Sequence, residues 1–164
     1  MSQAISPQAG LPYRPCVGIM LLNPAGDVFV GRRNDVGADA WQMPQGGIDA
    51  DEEPKAAALR ELHEETGIRS VEIMAESTHW LDYDYPATIT RRSFATRFRG
   101  QRQKWFAMRF LGQAAEIDLG FGHAEFDAWK WCDINALADL IIDFKRPVYE
   151  AVVREFQHLA RSPK

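Results

Sequence analysis

Residues 46–68, GGIDADEEPKAAALRELHEETGI, constrain this chain more than any other stretch. They read as an irregular entry, a helix and a sharp stop. Pro44, Gly46 and Gly47 break regular structure before the helix. Asp49 or Asp51 can cap its start, and Pro54 fits the first turn, where no N–H is needed. Thr66, Gly67 and Ile68 read as a C-terminal cap, with Gly67 left-handed and Ile68 packing back. Glu61, Glu64 and Glu65 share a face, because positions i, i+3 and i+4 lie on one side of a helix. Leu59, Leu62 and Thr66 lie opposite. The pattern predicts an apolar back and a carboxylate front.

That front is electrostatically poor. The last turns of a helix carry partial negative charge, and each like charge there costs roughly 0.3–1 kcal/mol. Arg60 can offset Glu64 at i+4 but not all three carboxylates. A bound hard cation reverses the problem, since Mg²⁺ and related ions take clustered carboxylates as ligands. The bland alternative is a solvated acidic helix face.

A chain of 164 residues suggests one domain. Residues 1–12 are polar, with Pro7, Gly10 and Pro12, and are expected to form a flexible tail ahead of a single domain over 13–160. The formal net charge of −4 argues against a protein that coats nucleic acid, while local patches can still bind phosphates. Cys16 and Cys132 are far apart and have neither metal nor redox spacing, so buried free thiols in a reducing compartment are expected. No apolar run suggests a signal peptide or a membrane span. A cytoplasmic location is expected, with no membrane partner and no obligate protein partner.

Residues 14–22 read as a buried strand, 23–27 as a turn and 28–33 as a returning strand, giving a hairpin. Residues 34–40 form a polar loop. Residues 71–85 read as one or two strands. Between 86 and 104, Arg91, Arg92, Arg97, Arg99, Arg102 and Lys104 occur without an acidic residue, so this segment carries +6. Phe94 and Phe98 interleave with it and Trp105 follows, as on a single-stranded RNA surface. A solvated basic loop is the alternative. Residues 105–111 read as a strand, 120–125 as a loop and 126–132 as a further strand. Asp133 can cap a short helix over 134–140, and an amphipathic helix closes the domain over about 146–160. The balance of strands and helices predicts an α+β sandwich of sheet between helices.

The 46–68 pattern resembles the Nudix box. Gly46, Glu52, Arg60, Glu61, Leu62, Glu64, Glu65, Gly67 and Ile68 stand at its defined positions, and none is missing. The resemblance implies the Nudix fold, a mixed β-sheet between helices, and hydrolysis of a diphosphate linked to another group. It implies divalent cations, Mg²⁺ or Mn²⁺, held by Glu61, Glu64, Glu65 and the Gly46 carbonyl. Glu64 and Arg60 belong to the catalytic motif. By family analogy Glu52 and Arg60 are the more structural pair, tying loop to helix. Glu125 opens Glu-Phe-Asp-Ala-Trp-Lys-Trp, similar to a segment that follows a functional glutamate in related enzymes. It can serve as a further ligand or as general base. His123 is a weaker rival.

Tyr13-Arg14-Pro15, the run 41–48, Gln103-Lys104-Trp105-Phe106 and the run 144–149 resemble the bacterial RNA pyrophosphohydrolase and dinucleoside-polyphosphate hydrolase branch. That resemblance implies a substrate site lined by Arg14, Arg33, Phe144, Lys145 and Arg146. Arg14, Arg33, Lys104 and Lys145 can neutralise a polyphosphate. Phe144 can stack on a base with Arg33 on its other face, or simply pack in the core. Tyr83 can add a phosphate hydrogen bond. The expected substrate is 5′-phosphorylated RNA, with a dinucleoside polyphosphate as the alternative. A module that binds nucleotides without cleaving them is a third reading, disfavoured by the intact glutamates.

Overall fold

The computed structural model describes residues 10–34, 40–86, 97–120, 122 and 125–160. Its eight strands form one mixed sheet around β1 (Tyr13–Leu22). From Cys16 onward β1 is buried, as expected of a continuous apolar run with a covered sheet face on either side. It runs parallel to β7 (Gly100–Phe110), from Tyr13 opposite Gly100 to Leu22 opposite Arg109.

The expected hairpin forms its turn but not its ladder. Asn23 Oδ1 accepts the N–H groups of Ala25 and Asp27, and Gly26 takes φ 85°. β2 (Val28–Arg33) then meets β1 only at Val28 opposite Leu22. It pairs instead with β8 (Phe126–Cys132) and, briefly, with β3 (Trp41–Gln42). The departure of β2 leaves an edge of β1 to β4 (Gln45–Gly47), which sets Gly46 opposite Val17 and Gly47 opposite Cys16. The start of the box is therefore a sheet strand, held in register rather than free as a loop.

β7 begins at Gly100, ahead of the expected start at 105. The cause is cross-strand charge. β5 (Val71–Glu76) and β6 (Leu81–Asp84) share the far edge of β7. Arg102 makes paired bonds of 3.0 Å to Asp82, and Arg99 reaches Asp84 at 2.8 Å. Arg102 thus becomes a strand residue, and it and Arg99, just before β7, gain acidic partners on β6. Residues 87–96 of the basic segment lie outside the described residues.

Helix α1 (Pro54–Thr66) covers one face of the sheet and α3 (Arg146–Phe156) the other. Ala57, Ala58 and Leu62 of α1 pack on Val17, Ile19, Leu21, Phe106 and Met108. Val148, Tyr149, Val152 and Phe156 of α3 pack on Met20, Leu22, Trp105 and Ala107. Between β8 and α3, Asp133 accepts the Asn135 N–H at 2.8 Å and opens the turn leading to α2 (Leu137–Leu140). Among the described residues no helix is long and apolar enough to cross a membrane. Burial pushes the Cys16 thiol up to about 12, so it stays protonated.

The two ends of α1 differ in how well they follow their sequence signals. Gly67 takes φ 75° and donates its N–H to the His63 carbonyl, while Ile68 is fully buried, a C-cap as expected. At the other end neither Asp49 nor Asp51 caps the helix. Glu53 is the N-cap, without a side-chain bond, and Pro54 is the first helical residue. Asp51 instead takes φ 64°, and Glu52 Oε1 accepts the Asp49 N–H at 2.9 Å. The Glu52 side chain is thereby committed to the loop before α1.

Candidate active site

The carboxylate side of α1 is largely enclosed, not the solvated face that was the bland alternative. Glu65 is 1% exposed, whereas Leu59, assigned to the apolar back, is 39% exposed. The small side chains of Ala57 and Ala58 let α1 settle closely on the sheet, and its glutamate side turns under β4. Gly46 has no room for a side chain. A Cβ there would run into the Glu61 carboxylate, so the bare backbone of β4 lies against that group. Gly47 is similarly filled, here by the Arg14 guanidinium.

Arg60 ties this arrangement together. Its Nε and Nη2 bond the two oxygens of Glu52 at 2.8 and 2.9 Å, and Nη2 also donates to the Gly47 carbonyl at 2.9 Å. Nη1 reaches Glu61 at 3.0 Å and Glu64 at 3.2 Å. One guanidinium thus joins the loop, the last strand before the helix and two of the three helix carboxylates. The bonds to Glu52 hold that carboxyl below its ordinary range and hold Arg60 above its own.

The carboxylates are left in a strained electrostatic state. Burial pushes Glu61 up to about 7, against the pull of Arg60, with Glu64 and Glu125 adding repulsion. Burial raises Glu65 well above the usual carboxylate range, and the charge of Glu125 beside it adds to the effect. Both Glu65 oxygens are buried without a well-formed hydrogen bond among the described residues. Native interiors seldom leave a charged group so. Among the described residues no three acidic, histidine or cysteine side chains already converge as a finished ligand set, and Arg60 bridges Glu61 and Glu64. The donors nevertheless suit a hard divalent cation. They are carboxylate oxygens on one rigid helix, one pair of them orphaned, beside a strand whose backbone lies against Glu61.

A second group of side chains gathers on the opposite flank. The charges of Arg14, Glu61 and Lys145 all bear on the Cys16 thiol of β1. Lys145 is 5% exposed, with its ammonium 5.6 Å from the Tyr83 ring centre and 5.9 Å from that of Phe144. Phe144 is half-buried and tilts against Tyr83, with ring centres 5.5 Å apart. The phenol of Tyr149 senses Glu65 and Arg33, and accepts the Met43 N–H at 2.8 Å. Arg33 ends β2, its N–H donating to the Ala40 carbonyl at 2.9 Å.

Two expected substrate residues stand apart. Lys104 lies on the face of β7 opposite Gln101, Gln103 and Trp105, because strand side chains alternate. Its ammonium meets Glu76 at 3.4 Å and lies over Trp80. Arg146 is exposed and pairs with Asp139 at 3.1 Å and, more loosely, Glu150 at 3.9 Å. Glu125 is exposed at the mouth of the carboxylate cluster, and its carbonyl accepts the Asn34 N–H at 3.1 Å. His123 lies outside the described residues.

Sequence reasoning missed an amide network beside the site. Gln103 bonds Gln45 and Gln101, each at 2.9 Å, and accepts the Trp105 indole N–H at 3.0 Å. The signal was present as Gln101, Gln103 and Trp105 at a spacing of two. Their shared face follows from β7 beginning at Gly100, which makes all three strand residues.

An acidic helix wall beside cationic side chains is machinery for cutting a phosphoanhydride, so the class is a phosphoanhydride hydrolase. The chain belongs to the Nudix family, whose domain model matches residues 12–152. It is 57% identical over 152 residues to a Rhodospirillum rubrum protein named RNA pyrophosphohydrolase, covering 93% of this chain and 92% of that one. It is 54% identical over 162 residues to a Mesorhizobium japonicum protein of the same name, covering 92% and 94%. Among solved structures, the fold matches the E. coli dihydroneopterin triphosphate pyrophosphohydrolase with a TM-score of 0.67 at 20% identity, covering 88% of this chain and 99% of that one. It also matches a C. elegans Ap4A hydrolase binary complex with a TM-score of 0.62 at 17% identity, covering 88% and 96%. Nudix hydrolases generally use divalent cations.

Proposed function

We propose that this enzyme removes pyrophosphate, or phosphate, from the 5′ end of tri- or diphosphorylated RNA. The observation that carries the reading is the 57% identity, over nearly the full length of both chains, to a relative named RNA pyrophosphohydrolase. Glu61, Glu64, Glu65 and the Gly46 carbonyl would hold Mg²⁺ or Mn²⁺, with Glu125 at the edge of the set. Bound there, the cations supply charge neutralisation on the phosphate oxygens and a water acidic enough to act as nucleophile.

The chain's own residues do the rest. Arg14, whose guanidinium lies beside Gly47, and the buried Lys145 would neutralise the phosphates together with the cations. Phe144, half-buried, would stack on the first base, with Arg33 at the end of β2 as the cationic counterpart. Tyr83 shapes the floor beneath Phe144 and Lys145. Glu64 is the least enclosed of the three helix carboxylates, 30% exposed, and Glu125 stands at the mouth. These two are positioned to take the proton of the attacking water. Arg60 holds the loop and helix in register rather than touching substrate. The working location is the cytoplasm, where 5′-phosphorylated RNA is found.

The test is direct. With Mg²⁺ and 5′-triphosphorylated RNA, the protein is expected to release pyrophosphate and leave a 5′-monophosphate, and Glu64→Gln is expected to abolish most of that release. Undiminished release by Glu64→Gln contradicts the assignment of the cation site.

A further inference from the structure

We propose that Gln103 is a positioning residue, whose buried amide, held in one orientation by Trp105, fixes Gln45 and through it the backbone of Gly46 against Glu61. The proposal rests on the reading of Gly46 and Glu61 as cation ligands, and its test separates the two.

An indole N–H can only donate. Trp105 Nε1 lies 3.0 Å from Gln103 Oε1, so that oxygen must face the indole. The amide nitrogen is then forced the other way, and its two hydrogens meet Gln45 Oε1 and Gln101 Oε1, each at 2.9 Å. Gln103 is 1% exposed, so water offers no substitute partner. An amide is ordinarily free to turn over, but here a flip would set its NH₂ against the indole N–H and its oxygen against two acceptors. With its oxygen taken by Gln103, Gln45 turns its own nitrogen to the Tyr83 phenol.

The strand register shows why this chain of bonds bears on the site. Gln45 stands opposite Gly18, and Gly18 opposite Trp105. The indole fills the space where a side chain at Gly18 would be, so Trp105 reaches across β1. Cys16 stands opposite both Gln103 and Gly47. The amide network therefore spans three strands and grips β4 one residue before Gly46. β4 is short, and among the described residues its sheet neighbour is β1. Backbone bonds tie its two ends to β1, from Ile19 N–H to the Pro44 carbonyl at 2.9 Å and from Ile48 N–H to the Pro15 carbonyl at 3.0 Å. Gln103 adds a fully buried side-chain anchor one residue before Gly46.

Gln103→Met removes the amide and keeps the volume. Thermal shift titrations with Mn²⁺ alone, without substrate, read the effect on the cation site. The half-saturating Mn²⁺ concentration is expected to rise roughly tenfold, the usual order for losing a group that orients a ligand. In turnover of triphosphorylated RNA, kcat is expected to fall by a similar factor with KM unchanged. A lower melting temperature with unchanged Mn²⁺ half-saturation and kcat would mean a purely structural amide and would overturn the proposal. Should Gln103→Met fail to fold, Gln45→Met removes the other end of the same bond at a half-buried position. An unshifted Mn²⁺ midpoint in that variant overturns the proposal equally. A wild-type protein that Mn²⁺ does not stabilise overturns the cation-site reading and this proposal with it. An unshifted variant beside a responsive wild type overturns this proposal alone.

Discussion

Replacing Glu61 by Gln is expected to make the metal-free protein more stable while disabling the site. Burial lifts the Glu61 carboxyl from its ordinary value of 4.5 to about 7. A carboxyl raised in the folded state is neutral in both states below about 4.5. As pH climbs past that value, the unfolded chain ionises first and the fold loses stability. The loss is complete once pH exceeds about 7, where the folded carboxyl ionises too. A displacement from 4.5 to about 7 corresponds to about 3 kcal/mol. The substituted amide would stay neutral throughout and can still accept the Arg60 Nη1 bond that Glu61 accepts at 3.0 Å. In a chelating buffer at pH 8, Glu61→Gln is therefore expected to gain about 3 kcal/mol, or roughly 6–12 °C in melting temperature for a domain of this size. At pH 4.5 the two proteins should melt nearly together. Excess Mg²⁺ should then raise the wild type by RT ln(1 + [Mg²⁺]/Kd) and narrow or reverse the order, while the variant barely responds. Urea melts in chelator at both pH values decide the matter. A variant no more stable than wild type at pH 8 would refute the reasoning that Glu61 is held ionised at a cost.

Gly46→Ala should cut turnover severely while leaving the fold assembled, because its Cβ meets the Glu61 carboxylate rather than core atoms, as circular dichroism beside an activity assay would reveal. Arg60→Lys keeps the charge but loses the paired bonds to Glu52, so a loss of about 1–2 kcal/mol is expected in denaturant melts. Gly67→Ala places a Cβ at φ 75° and should cost about 1 kcal/mol without moving KM, a control for damage to α1 away from its carboxylates. Phe144→Ala should raise KM for RNA more than it lowers kcat, and an effect confined to kcat would contradict a base-stacking role.

Much of the box was legible because its signals are local. Gly67 must be left-handed to end α1, and Glu61, Glu64 and Glu65 must share a side. What local signals could not convey was the rotation of the helix. Whether Leu59 or Glu65 faces inward depends on which strand lies over α1, and β4 takes that place only because β2 leaves β1. The same holds for the basic segment. Arg99 and Arg102 look like a free basic loop until Asp82 and Asp84 of β6 stand beside them across the sheet. The continuous apolar run of β1 was readable, as were the apolar periods of β8 and α3, since each of these two buries a face whose spacing is fixed by the strand or helix itself. The amides of Gln45 and Gln103 carry no such period. Their meaning lies in a contact between positions 58 residues apart.

The central claim is that the polyphosphate cut here hangs from RNA. Triphosphorylated RNA and diadenosine tetraphosphate offered together, with Mg²⁺, would yield the ratio of their kcat/KM values. The account predicts a ratio well in favour of the RNA, lowered by Phe144→Ala. A ratio well in favour of the dinucleotide would contradict it.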